Sequence, residues 1–105
     1  MWFVFPQIAG LGSSAMAIRY AIASLAEAKA YLAHAVLGPR LKECTALVLR
    51  VEGRSAVEIF GPVDAIKFRS SMTLFGEAAP GEKVFAECLA KYFDGAPDAA
   101  TLESL

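Results

Sequence analysis

Two Gly-Pro steps, Gly38-Pro39 and Gly61-Pro62, do most to limit what this chain can fold into. Glycine ends a helix cheaply because it accepts a left-handed cap. Proline starts the next one because its fixed φ suits the first helical position. Each step therefore reads as a helix stop followed at once by a helix start. Gly53 and Gly95 supply further stops, and Gly76 to Gly81, with Pro80, reads as a loop. The intervals between these breaks are too short for the helices of an extended bundle. The expected fold is all-α, a compact array of five to six short helices with Gly/Pro breaks that cross at steep angles, behind an irregular N-terminal segment.

Apolar spacing fills in the elements. Ser13 or Ser14 is placed to cap a short helix through Ile22. Ser24-Leu25-Ala26-Glu27 has the form of a capping box and opens a helix to about His34, with Leu25, Ala28 and Leu32 turned inward. From Pro39 to about Glu52, Leu41, Cys44, Val48 and Val51 recur at helical spacing. Leu47 and Leu49 widen that stripe, which predicts a central helix. Ser55-Ala56-Val57-Glu58 is a second capping box, opening a short helix through Phe60. The next helix, about Val63 to Phe75, buries Ala65, Phe68, Met72 and Phe75 and turns Lys67, Ser70, Ser71 and Thr73 the other way. A further helix, about Glu82 to Phe93, buries Phe85, Cys88, Leu89 and Tyr92, with Glu87 and Lys91 placed to pair at i,i+4. Asp98 caps a last turn or two through Leu105. The best strand signal, Ala46 to Val51, lies inside a 3.6-residue period and lacks flanking turn residues.

Composition narrows the function classes. The 105 residues fit one helical domain, 1–105, and 56% hydrophobic against 20% charged residues is ample material for a core. The formal net charge is -1, and Arg40, Lys42 and Arg50 are interleaved with Glu43 and Glu52. A nucleic-acid binder would show a basic stripe, so none is expected as partner. No apolar run approaches the ~20 residues of a membrane span. The aromatic opening lacks the basic flank of a signal peptide and is broken by Pro6, Gln7, Gly10 and Gly12. A cytoplasmic protein is expected, with no membrane partner. Two cysteines, Cys44 and Cys88, and one histidine cannot build a Cys/His zinc site, so neither metal nor cofactor is expected. Both cysteines sit at apolar helix positions and read as reduced, buried thiols.

Few residues could carry chemistry. Lys67 and Ser71 are four apart on one helix face, with Ser70 beside them. Such a pair can run acyl transfer if the lysine is desolvated and neutral. Arg69, Ser70, Ser71 and Thr73 could instead donate to an anion such as phosphate, which needs no activated lysine. His34 stands at a helix end, where interaction with the dipole outweighs a general-base role. Gln7 follows Pro6 in apolar surroundings and reads first as a structural amide. Tyr20 reads as an amphipathic core residue before a stacking partner. Gly10-Leu11-Gly12 lacks the third glycine and the preceding strand of a dinucleotide fingerprint.

Four stretches then carry a resemblance: Trp2-Phe3-Val4-Phe5-Pro6-Gln7-Ile8-Ala9-Gly10-Leu11-Gly12, Arg19-Tyr20-Ala21-Ile22, Leu37-Gly38-Pro39-Arg40-Leu41, and Lys67-Phe68-Arg69-Ser70-Ser71-Met72-Thr73-Leu74-Phe75. Together they resemble a mainly bacterial, uncharacterised family, domain of unknown function eighteen-ten, over nearly the whole chain. The resemblance implies an all-α fold and no established activity, so it carries over no catalytic residue. The name calpastatin, sometimes attached to that family, implies a calpain inhibitor; such inhibitor segments are disordered, whereas this composition is that of a folded chain. Members usually have proline where this chain has Ala35. They also carry a further helical segment before the tryptophan motif, so the chain reads as N-terminally short of its family.

That shortness gives the aromatic opening a second meaning. Trp2, Phe3 and Phe5 can each bury ~150–250 Å². Without covering helices they would form an apolar patch and an association surface, so self-association through residues 1–8 is expected. The preferred functional reading is a non-catalytic binding domain. A cleft between Trp2–Gln7 and the Lys67–Thr73 helix would hold a small anionic ligand or a peptide. One alternative is a hydrolase or transferase acting on a nucleotide-like substrate through Lys67, Ser71, His34 and Gln7. Another is a protein-interaction or structural domain.

Overall fold

The computed structural model describes residues 4–11 and 21–105. Among these residues there are six helices: α1 (Leu25–Ala33), α2 (Leu37–Leu49), α3 (Ala56–Phe60), α4 (Pro62–Ala78), α5 (Lys83–Phe93) and α6 (Ala99–Glu103). No strand is present among them; one isolated parallel bridge pairs Ile8 with Ile22. The fold is all-α, as the Gly/Pro spacing implied.

Local chemistry explains most boundaries. Ser24 Oγ accepts from the Glu27 amide at 3.2 Å, and Glu27 reaches back to the Ala23 amide at 2.9 Å, so α1 starts where the box-like motif placed it. The expected helix through Ile22 lies mostly outside the described residues, and Ile22 itself is extended, held to Gln7 and Ala9 by backbone bonds of 2.7 Å each. Ser55 and Glu58 form the full reciprocal box, with bonds of 3.1 and 2.8 Å, and open α3. Gly61, at φ +84, ends α3 and precedes Pro62, the first residue of α4.

The first Gly-Pro step behaves differently. Helix α2 begins at Leu37 and absorbs Gly38 and Pro39 into its first turn, where a missing amide donor costs nothing. Gly38 instead marks a close approach between α1 and α2, since a Cβ there would lie 2.0 Å from the Leu32 carbonyl oxygen. Gly76, expected in a loop, lies within α4, which continues to Ala78.

The central helix is α4, not α2. It packs against α1, α3, α5 and α6, while α2 contacts α1 and α5. On α4 the expected inward set, Ala65, Phe68, Met72 and Phe75, is buried. Ser70, Ser71, Thr73 and Leu74 are buried too, so the helix is enclosed on nearly every side from Phe68 to Phe75. Aromatic rings fix that core. Phe5 meets Phe68 edge-on at 4.9 Å, Phe60 stacks on Phe68 at 4.9 Å, and Phe75 lies between Tyr31 and Phe85. Leu41 on α2 is buried as expected, joined by Thr45, whose hydroxyl donates to the Leu41 carbonyl at 2.8 Å. Leu47, expected to widen the inward stripe, is 54% exposed because it faces away from both α1 and α5.

Candidate functional site

The expected polar cluster of α4 is turned into the fold rather than toward solvent. Ser70 Oγ donates to the Ile66 carbonyl at 3.1 Å, and Thr73 Oγ1 donates to the Arg69 carbonyl at 2.9 Å. Both are back-bonds to the preceding turn, the usual way for a hydroxyl inside a helix to satisfy itself. Ser71 has no exposed surface, and its Oγ has no hydrogen-bond partner among the described residues. A nucleophile sealed in this way has no route to a substrate. Lys67 Nζ lies 3.5 Å from Asp64 Oδ1, an ion pair within the helix, whereas acyl transfer would need a neutral lysine.

Arg69 and Thr73 instead hold the C-terminal segment. Arg69 Nε donates to the Ala96 carbonyl at 3.0 Å and Nη2 to the Pro97 carbonyl at 3.4 Å, while the guanidinium lies over the Phe93 ring at 5.6 Å. Thr73 Oγ1 accepts from the Asp98 amide at 2.9 Å. Asp98 in turn caps α6: Oδ2 takes the Thr101 amide at 2.9 Å and the Thr101 hydroxyl at 2.6 Å. Asp98 was legible as the cap of the last helix. Its two anchors lie 25 to 28 residues away along the chain, and no local pattern links them.

Gln7, Phe5 and His34 are the other expected residues that the structure describes. Gln7 is buried in the Phe5–Ile8 segment, its carbonyl accepting from Ile22. Phe5 is only 5% exposed and packs edge-on against both Phe60 and Phe68. It therefore belongs to the chain's own core, which corrects its expected place on an association surface: α3 and α4 cover it. Across this described stretch, the segment and α4 meet in ring contact. His34 is exposed, and its Nδ1 accepts from the Val36 and Leu37 amides at 3.1 Å each. Its side chain thus holds the start of α2, while its backbone caps the end of α1 by donating to the Tyr31 carbonyl at 3.2 Å. Trp2, Phe3 and Tyr20 lie outside the described residues.

Other long-range polar contacts are structural as well. Lys91 does not take the expected partner Glu87 but donates to the Leu49 and Val51 carbonyls at 2.5 Å each, with Glu52 at 3.7 Å. Tyr92 Oη donates to the Val48 carbonyl at 2.5 Å. Together they close the C-terminal end of α2, where carbonyls lack helical donors. Cys44 and Cys88 are both free. Burial, with Glu87 adding to it, pushes the Cys88 thiol up to about 12, and its Sγ lies 3.7 Å from the Thr45 carbonyl. Burial also raises Tyr31, against the pull of Arg40. Both shifts favour the protonated form, the wrong direction for an activated nucleophile. No group of three or more His, Cys, Asp or Glu side chains suited to a metal ion occurs among the described residues. No helix among them is long and apolar enough to cross a membrane.

The family model described as "Protein of unknown function (DUF1810)" matches residues 1–105. The chain belongs to the DUF1810 family. The crystal structure of a conserved hypothetical protein of Mycobacterium tuberculosis, Rv1873, has the same fold, with a TM-score of 0.97 and 58% sequence identity. The match covers 99% of this chain and 74% of that one. No curated protein matches the chain. DUF1810 is thus a family of unknown function, and membership transfers no residue role to Arg69, Ser70, Ser71 or Thr73.

Proposed function

We propose that the chain is a non-catalytic binding domain that receives a short peptide helix on the outer face of α4. The observation that supports this reading is the stripe Val63, Ile66, Ser70 and Thr73. Spacings of three, four and three place these residues on one helix face. Ser70 and Thr73 are each 2% exposed, whereas Val63 and Ile66 are 64% and 63% exposed. Helix α6 contacts α4, and its cap residue Asp98 binds Thr73. The stripe therefore already carries one short helix at one end and bare aliphatic surface at the other. Paired β-branched side chains left open beside a packed helix are what a docking partner would cover. The candidate residues for chemistry add no competing site: Ser71 is sealed, and His34 is occupied with the start of α2.

The test is selection of binders from a random displayed peptide library on the full chain, followed by affinity measurement on Ile66→Asp. A charge placed on the contact must be desolvated by the partner. Selected peptides should weaken about ten-fold or more, equivalent to ~1.4 kcal/mol, while the melting temperature stays close to that of the unaltered chain. Failure to select any binder would contradict the reading. A thermal shift with inorganic phosphate that disappears in Arg69→Ala would favour a small anion instead.

A further inference from the structure

The segment that covers the lower half of the stripe is held in an unusual way for a packed element. From Ala99 to Leu105 only Thr101 is buried; Leu102 and Leu105 remain 38% and 44% exposed. The segment's hydrogen-bonded anchors to the rest of the chain are two donors from Arg69 to the Ala96 and Pro97 carbonyls, one bond from the Asp98 amide to Thr73, and, at its hinge, the Ala96 amide to the Phe93 carbonyl at 2.9 Å. The chain enters it through Asp94 and Gly95, both in the left-handed region at φ 54 and 76, so a turn separates it from α5. Elements with few buried apolar contacts open locally at a small fraction of the global unfolding free energy. The surface beneath would also survive the opening. Ser70 and Thr73 keep their bonds to α4's own carbonyls, and only the Arg69 donors and the Thr73 oxygen lose partners.

Building on the docking reading above, we infer that Ala96–Leu105 is a releasable strap, an intramolecular occupant of the same α4 face that an incoming peptide helix takes. From Val63 to Thr73 the stripe is about 15 Å long at 1.5 Å per residue. With the strap seated, only the Val63–Ile66 half is open. A partner helix of two to three turns needs the whole length and must displace the strap. The partner's chemistry follows from what the strap leaves behind. An acidic cap residue offers its amide to Thr73, the two carbonyls before it meet the Arg69 fork, and aliphatic side chains extend onto Val63 and Ile66.

A labelled synthetic peptide of residues 96–105, titrated by fluorescence anisotropy into the full chain, tests this directly. Asp98→Ala removes the α6 cap on the strap side without touching the receiving face, and such caps are worth about 1 kcal/mol. The peptide should then bind Asp98→Ala about five-fold more tightly than the unaltered chain. Thr101→Val, which removes the hydroxyl bond to Asp98 while keeping the buried shape, should shift affinity the same way. Arg69→Ala added to Asp98→Ala should abolish the binding. If library-selected peptides bind the unaltered chain and both strap variants equally, the docking face stands and the strap is not its occupant. If neither the strap peptide nor any selected peptide binds, the docking reading falls and the inference falls with it.

Discussion

At Gly38 a Cβ would stand 2.0 Å from the Leu32 carbonyl oxygen and 2.8 Å from its carbon, both backbone atoms that cannot turn aside. Gly38→Ala must push α1 and α2 apart, and overpacking of this kind costs about 1–3 kcal/mol or more. Urea denaturation should place the loss at the upper end of that range; an unchanged midpoint would mean the two helices are not in such close contact. Ser71 makes the opposite case. Its buried hydroxyl has no partner among the described residues, and an unsatisfied group of this kind costs ~1–3 kcal/mol. Ser71→Ala should therefore leave stability unchanged or raise it by about 1 kcal/mol, and a clear loss would reveal a hydrogen bond at that oxygen. Cys88 gives a third test at this scale. Its thiol rises from an ordinary value of 9.0 to about 12, so between those pH values the unfolded chain gives up a proton that the folded chain keeps. Stability from this group is full below pH 9 and falls as pH rises through that window. Native-state alkylation at pH 8 should label Cys88 only as fast as the fold opens.

The elements show where sequence signals suffice. Reciprocal caps work through neighbours three residues apart, and so Ser55-x-x-Glu58 fixed the start of α3 without any tertiary information. Gly61-Pro62 separated α3 from α4 for the same reason. Gly38-Pro39 misled because proline is harmless anywhere in a first turn, and the glycine answers to packing against α1 rather than to a helix end. On α4 the apolar period found the inward set but not the burial of Ser70, Ser71 and Thr73. A helix enclosed on nearly all sides has no solvent face for the period to mark. Contacts between elements were equally illegible. The Tyr92 bond to the Val48 carbonyl spans 44 residues, and the Arg69 bond to Ala96 spans 27. Tyr92→Phe removes the hydroxyl that helps close α2 and should cost about 1 kcal/mol, read as a lower denaturation midpoint with unchanged helical signal. An unchanged midpoint would show that Lys91 holds the α2 terminus unaided.

On the scale of the whole molecule, α4 is an axis with two kinds of cover. Around Phe68 and Phe75 the cover is aromatic and sealed; along Ser70 and Thr73 it is a short capped helix on polar anchors; at Val63 and Ile66 it is absent. On the docking reading proposed above, this gradation would separate the part of the fold that holds the chain together from a part able to exchange partners. The contact between α4 and the C-terminal segment was hard to read from sequence because Arg69 and Thr73 lie 25 to 28 residues from the atoms they hold. Hydrogen–deuterium exchange on the unaltered chain measures the gradation directly. Amides of 99–105 should exchange orders of magnitude faster than those of Phe68–Phe75, through local opening. If both sets exchange together at the rate of global unfolding, the C-terminal segment is part of the core and the α4 face has no releasable cover.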